Sequence, residues 1–92
     1  MRIKVQAFAS FHDVMDRELI VEMNDGSELT ALLDELTGRY KGLGKALFRV
    51  SGELRDNVSI FRNGVNTESI GGVKTCLEDG NIIVLFPPAS GG

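Results

Sequence analysis

Five consecutive apolar residues, Ile82–Phe86, restrict the fold of this chain more than any other part of its sequence. The run follows Gly80-Asn81, precedes Pro87-Pro88 and is apolar at every position, as expected of a central strand covered on both faces. A central strand has a neighbouring strand on each side.

Two earlier segments have the alternating pattern of strands. Residues 2–9 and Glu18–Met23 alternate between apolar and polar positions. The residues expected on the buried side are Ile3, Val5, Ala7 and Ala9 in the first segment and Leu19, Val21 and Met23 in the second. Residues 10–17 break the pattern and predict a loop or a short helical turn. The two segments therefore predict a β-hairpin.

An amphipathic helix is predicted after the hairpin. Asn24-Asp25-Gly26 is a turn signal, and Ser27 is the expected N-cap because its hydroxyl can accept a hydrogen bond from the first helical turn. An apolar stripe with helical spacing follows, formed by Leu29, Leu32, Leu33, Leu36 and Tyr40. Gly38 predicts fraying near the end of the helix.

The remaining elements are short. Residues 41–56 combine glycines with a small apolar patch, which predicts a short second helix with mobile flanks. Asn57–Arg62 predicts a third strand, and Asn63-Gly64 favours a two-residue hairpin turn because both residues tolerate positive φ. Val65–Thr67 then predicts a short returning strand.

The predicted element order is ββαβ(β)β, which belongs to the α+β class. This order allows the first and last strands to lie parallel in the middle of a mixed sheet, with the main helix across one face. That arrangement is the β-grasp or ubiquitin-like architecture. We therefore predict a β-grasp domain over residues 1–86 and a flexible C-terminal tail over residues 87–92.

The tail contains the residues that we expect to react. Two prolines, Pro87 and Pro88, stop the strand and direct the tail away from the domain. Six residues reach about 20 Å when fully extended. Gly91 and Gly92 have no Cβ and can enter a narrow channel, so the Gly92 carboxylate is the predicted reacting group. The alternative is that the two glycines are an ordinary unstructured terminus.

A carboxylate must be activated before it reacts, normally by adenylation with ATP. The nearest approach to a phosphate-binding loop, Gly38–Ala46, has one spacer residue too many for GxxxxGK and lacks the following Ser or Thr. We therefore expect a partner enzyme to use the ATP, and we expect this chain to bind no cofactor.

Composition argues against several other functions. The chain has 92 residues and a formal charge of -3, with scattered basic residues, so a nucleic-acid partner is not indicated. We expect no signal peptide and no membrane segment, because Met1–Val5 leads directly into a strand and no apolar run reaches about 18 residues. One cysteine suits a reducing compartment, and we predict a cytoplasmic protein. One histidine and one cysteine predict no metal site.

Some side chains have both a functional and a structural interpretation. His12 and Cys76 can be imagined as a base and nucleophile, but we favour a solvated histidine and a partly buried cysteine. Phe8, Phe61 and Phe86 are individually expected in the core, and Phe86 is the best candidate of the three for partner contact. Arg62 and Lys74 are more simply solvated charges than contacts to an acidic partner.

The end of the chain resembles the MoaD/ThiS family, and within it the branch of molybdopterin synthase small subunits. Leu77-Glu78-Asp79-Gly80-Asn81, the apolar strand and Phe86-Pro87-Pro88-Ala89-Ser90-Gly91-Gly92 are similar to the family ending L-x-x-G-D-x-V-x-x-F-P-P-V-x-G-G. Asn81 stands where Asp is usual, and Ala89 where Val is. Residues 52–56 resemble archaeal-type members, some of which modify protein lysines.

The resemblance implies a sulfur carrier that is not catalytic alone. An E1-like enzyme of the MoeB/ThiF type would adenylate Gly92, and a sulfur donor would convert the adenylate to a thiocarboxylate. The tail would then enter the large subunit of molybdopterin synthase, of the MoaE type, and give its sulfur to a pterin precursor. Residues expected to contact these partners are Phe86, Pro87, Pro88, Ala89 and Ser90. The alternatives are a ubiquitin-like modifier joined to lysines through Gly92, and a carrier for tRNA thiolation.

Overall fold

The first and last strands lie side by side and parallel in the computed structural model, which describes residues 1–87. In this part of the chain one mixed sheet has the strand order β2-β1-β5-β3-β4. The strands are β1 (Arg2–Ala7), β2 (Glu18–Glu22), β3 (Ser59–Arg62), β4 (Val65–Asn66) and β5 (Ile82–Phe86). The predicted β-grasp order is confirmed.

The first two strands form the predicted antiparallel hairpin. Ile3 pairs with Val21 and Val5 with Leu19, and the predicted inward residues Ile3, Val5 and Val21 are fully buried. The first strand ends two residues earlier than expected. Ala9 has a φ of +50° and begins a 3-10 helix, Ala9–Asp13, which buries Phe11. The segment between the strands is therefore the short helical turn that the polar residues predicted.

The main helix α1 (Leu29–Arg39) buries its four predicted leucines against the sheet, but its N-cap prediction is wrong. Ser27 Oγ donates to the Asn24 carbonyl at 2.8 Å, within the preceding turn, and the N-cap position is held by Glu28. The Leu29 N–H donates instead to the Thr75 carbonyl at 2.8 Å. A distant segment thus satisfies a donor that the sequence assigned to a local side chain.

The segment that follows contains the predicted second helix, α2 (Leu43–Leu47), which adds Leu43 and Leu47 to the core. Beyond it, Phe48 forms an isolated antiparallel bridge with Leu54. The Gly52 N–H donates to the Arg49 carbonyl at 2.9 Å, closing a tight turn between them.

The hairpin between β3 and β4 turns at Asn63 and Gly64, with φ of +48° and +83°, which confirms the predicted turn. Asn63 Oδ1 also accepts the Ile82 N–H at 2.8 Å and so fixes the start of β5. Two further 3-10 helices, Thr67–Ser69 and Gly72–Lys74, connect the hairpin to β5. The returning strand stops one residue earlier than expected because Thr67 already belongs to the first of them.

In the described part of the chain, helices cover only one face of the sheet. In β5 Ile83 and Leu85 are fully buried, whereas Ile82 and Phe86 are exposed and Val84 is half-buried. The strand is central as predicted, but the expectation that it is covered on both faces is wrong because α1 and α2 both contribute to the same core. Within residues 1–87 no helix has the length and apolar character needed to cross a bilayer.

Candidate functional site

The candidate site surrounds the point where the chain leaves the sheet. Phe86 is the last residue of β5, and Pro87 follows it in a half-buried position without regular structure. The other predicted tail residues, Pro88, Ala89, Ser90, Gly91 and Gly92, lie outside the described residues. The site geometry is therefore that of the base of the tail.

Three phenylalanines form an aromatic cluster at this base, defined as Phe8, Phe61 and Phe86. The rings of Phe8 and Phe86 stack with centroids 4.9 Å apart and an interplanar angle of 16°. Phe61 meets Phe86 edge-on, with centroids 5.3 Å apart and an angle of 83°. Each such pair contributes about 0.5–1.5 kcal/mol beyond the burial of its surface. The two contacts hold Phe86 in one orientation.

Strand pairing explains why the three rings meet. Phe8 directly follows β1, and its N–H donates to the Leu85 carbonyl at 3.1 Å. In β3, Phe61 pairs with Val84, two residues before Phe86. Alternation along the strands places all three rings on the face opposite the helices.

The aromatic cluster remains accessible to solvent. Phe8 is 44% exposed and Phe86 37%, and Phe61 is half-buried. The expectation that each belongs to the core is wrong, because the core lies on the other face of the sheet. Ile20 and Ile82 are also exposed on the open face, so apolar surface continues away from the tail. Clustered apolar surface of this kind is typical of contact with another macromolecule.

A groove opens beside Pro87, on the other side of the base of the tail. It has a volume of about 410 Å³. Its lining residues include Phe11 and Ala46 from the domain, Pro87 from the tail, and the oppositely charged Asp13 and Arg55. The base of the tail therefore lies between an aromatic surface and a groove.

The aromatic cluster and Pro87 have no nucleophilic or titratable side chain, so this surface is suited to binding rather than to catalysis. Residues 1–87 contain no group of three or more His, Cys, Asp or Glu side chains that could hold a metal ion. Burial, followed by the hydrogen bond to Asp16, raises the pKa of Tyr40, which lies at the end of α1 and not at the base of the tail.

His12 and Cys76 belong to different parts of the fold. His12 Nε2 lies 2.6 Å from the Ala7 carbonyl, which only accepts, so this nitrogen carries a hydrogen and donates. Cys76 forms an isolated bridge with Glu28 at the start of α1. The cysteine is exposed, so the prediction of a partly buried side chain is wrong.

The two cations singled out from the sequence also differ from each other. Lys74 is exposed, as expected of a solvated charge. Arg62 is half-buried, and its Nη1 donates to the Cys76 carbonyl at 2.8 Å in an exposed position, so its charge is in contact with solvent but its side chain is also held by the fold. Its contact holds the segment before β5 and gives no sign of a partner.

Comparison with known proteins gives a consistent result. The ThiS family profile matches residues 5–92. Small archaeal modifier protein 3 of Haloferax volcanii is 30% identical over 93 residues, and both chains are covered completely. A protein of Archaeoglobus fulgidus, provisionally named a sulfur carrier protein, is 38% identical over 92 residues, again with both chains covered. The crystal structure of SAMP1 from Haloferax volcanii superposes with a TM-score of 0.89 at 28% identity over the whole of both chains.

Proposed function

The chain belongs to the ThiS family of ubiquitin-like sulfur carriers and small modifiers, and we propose that Gly92 is its reacting residue. A partner enzyme adenylates the Gly92 carboxylate, and a sulfur donor then converts it to a thiocarboxylate. The observation that carries this proposal is the exposed, tightly held Phe86 ring directly before Pro87. A rigid apolar surface at the base of a glycine-terminated tail suits docking that delivers the tail to another protein's active site.

The chemistry requires a carboxylate, a nucleotide and a sulfur nucleophile. A carboxylate oxygen attacks the α-phosphorus of ATP, and pyrophosphate leaves with the bonding electron pair. Hydrosulfide from the sulfur donor then attacks the acyl carbon, AMP leaves with the electron pair of the broken C–O bond, and the sulfur loses its proton to solvent, so one C–O bond is replaced by a C–S bond. The carrier contributes the acyl group and its positioning, and the partner contributes nucleotide binding. Because cytoplasmic ATP drives the first step, we place the reaction in the cytoplasm.

The activating enzyme is proposed to be E1-like, of the MoeB/ThiF type, and to cover the aromatic cluster. Phe86 is the expected anchor because central aromatic residues contribute most of the binding energy at many interfaces. Both ring contacts are present before binding, so little side-chain entropy is lost when the enzyme docks.

For the sulfur acceptor we favour a pterin precursor, held by a molybdopterin synthase large subunit of the MoaE type. The support for this branch is the Phe86-Pro87-Pro88 sequence ahead of Gly91-Gly92, which resembles the ending of the small subunits of that synthase. The thiocarboxylate is a soft nucleophile at the end of a narrow tether, and the large subunit's pocket supplies proximity to the precursor.

A lysine-conjugated modifier is the second candidate. The observation that favours it is an alignment that covers the full length of both this chain and a relative named a small archaeal modifier protein. Both candidates pass through the same acyl adenylate and differ in the nucleophile that accepts the acyl group. A third candidate is a sulfur carrier that forms the same thiocarboxylate but gives its sulfur to tRNA in place of a pterin precursor.

Intact mass spectrometry tests the proposal. The chain is incubated with its organism's activating enzyme, ATP and a sulfur source, and a mass increase equal to exchange of one oxygen for sulfur is expected. Covalent ladders on lysines in cell extract would instead favour the modifier. A variant lacking Gly92 is the control and should show neither product. If wild-type protein gains no mass and forms no conjugate, or if the variant reacts normally, Gly92 is not the reacting residue.

A further inference from the structure

Charge is distributed unevenly along this chain. Residues 41–56, termed here the basic insert, contain four of the ten basic residues and two of the thirteen acidic ones. The insert therefore carries +2, whereas the rest of the chain carries -5. Neither the aromatic cluster nor the tail accounts for this local excess of positive charge.

The insert has a defined shape. The Phe48–Leu54 bridge and the bond from the Arg55 N–H to the Leu47 carbonyl, at 2.8 Å, close its base. At its tip, the Arg49 N–H donates to the Glu53 carbonyl at 2.8 Å. The Val50 side chain projects from this turn and is as exposed as in an extended chain, at 108%. An apolar side chain is thus presented to solvent by a hydrogen-bonded loop.

Three cations surround a shallow hollow in the insert. The hollow has a volume of about 290 Å³ and is lined by Lys45, Arg49 and Arg55 together with Gly44, Phe48 and Val50. Arg55 Nε donates to the Lys45 carbonyl at 2.9 Å, which holds these two residues together. Arg49 pairs with Asp56, whose side chain is 87% exposed. Asp56 offsets one of the three charges, so the hollow remains positive.

Arg55 connects this hollow to the base of the tail. The same residue also lines the groove beside Pro87. A protein that receives Gly92 must come within about 20 Å of Pro87, since six extended residues reach no further. Because Arg55 lines both hollows, a protein that covers the groove beside Pro87 also meets the edge of the basic insert.

We propose that the basic insert is a second docking surface for the activating enzyme, which approaches it with an acidic surface. This inference rests on the proposed function. The exposed cations attract the acidic surface over a distance of about one Debye length and so accelerate encounter. Val50 makes an apolar contact once the proteins have met. The opposite charge of the surrounding domain orients the approach, because the domain repels the same acidic surface elsewhere.

The association rate constant of the chain with its organism's activating enzyme tests this assignment without ATP. Lys45→Glu/Arg49→Glu is expected to slow association about 5–10-fold at roughly 20 mM salt, and the difference should disappear near 0.5 M salt. The matched control is Arg2→Glu/Lys74→Glu, which makes the same change in net charge at two exposed positions outside the insert. Equal slowing by the two double variants, or none by the first, would overturn the inference.

Further measurements distinguish docking at the basic insert from a loss of folding and from RNA binding. Urea unfolding verifies that each variant is folded, and Val50→Ser removes the apolar contact without touching the core, so it should accelerate dissociation only. If the insert variant associates normally but loses binding to a single-stranded RNA oligonucleotide, the surface serves RNA and the inference is wrong. Because association is measured without ATP, a failure of Gly92 to gain sulfur would count against the proposed function and leave the rate comparison intact.

Discussion

Phe86 belongs both to the sheet and to the surface proposed to bind the activating enzyme. Its backbone pairs with Ser59 at the end of β5, and its ring is stacked on Phe8 and held edge-on by Phe61. Because the ring is still 37% exposed, it can stabilise the domain and also bind a partner. This arrangement fixes the position of Phe86, from which the tail begins.

Substituting Phe86 should therefore weaken recognition of the partner and also lower the stability of the domain. We expect Phe86→Ala to raise the KM for this chain in the activation reaction about 10–100-fold, with a much smaller change in kcat. The free energy of unfolding should fall by about 1–3 kcal/mol through loss of the two ring contacts. Ile82→Ala is the control, because Ile82 is equally exposed on the same strand but far from the tail. Similar KM values for both variants would contradict the role of Phe86.

At the scale of elements, contacts between distant segments determine several boundaries. The start of α1 is held by Thr75, and the start of β5 by Asn63 and by the turn at Asn81. Asn81 is 5% exposed, and its Oδ1 accepts the Glu78 N–H at 2.8 Å. Its carbonyl accepts the Lys4 N–H at 3.0 Å, which joins the turn to β1.

Asn81→Ala should lower the free energy of unfolding by about 1–3 kcal/mol, because the partly buried Glu78 N–H loses its acceptor. Asn81→Asp keeps an acceptor oxygen at the same place and should cost less. Urea unfolding at neutral pH measures both changes. The interpretation fails if the alanine variant is as stable as wild type, or if the aspartate variant is the less stable of the two.

Sequence patterns predicted those elements whose stabilising contacts are local. Three predictions rest on the conformational preferences of neighbouring residues: the alternation of β1, the leucine stripe of α1 and the Asn63-Gly64 turn. Each is confirmed. Ser27 could not be placed correctly because a nearby carbonyl takes its hydroxyl, and the helix obtains its partner from Thr75. The residues next to the helix start do not indicate that a carbonyl 46 positions away will accept the Leu29 N–H.

The candidate site was predictable in position but not in extent. Phe86 stood out because it precedes the prolines, whereas Phe8 and Phe61 were expected in the core. The signal for Phe8 was available, since alternation placed it opposite Ile3 and Val5. What the pattern could not establish is which face the helices leave open, because that depends on the packing of the whole domain. The reacting glycines follow from composition and remain a prediction.

At the scale of the whole molecule, the described core lies within residues 1–87, and the residue proposed to react, Gly92, lies beyond them. The core is assembled within residues 1–87, and its centre is the parallel pair formed by the first and last strands. β5 contributes the fully buried Ile83 and Leu85 and separates β1 from β3. The sheet is therefore complete only when β5, near the end of the chain, pairs with β1 at its start. Folding thus depends on contacts between residues far apart in the sequence.

Two truncations test this separation. A chain ending at Pro87 should unfold cooperatively with a free energy within about 1 kcal/mol of wild type, because it keeps the complete core. A chain ending at Asn81 should show no cooperative transition, because β1 and β3 lose their shared neighbour. Circular dichroism during urea titration distinguishes these outcomes. A folded shorter chain, or a strongly destabilised longer one, would contradict the separation. If both expectations hold, loss of sulfur transfer on removing Gly92 reports on chemistry at the tail and not on the stability of the domain.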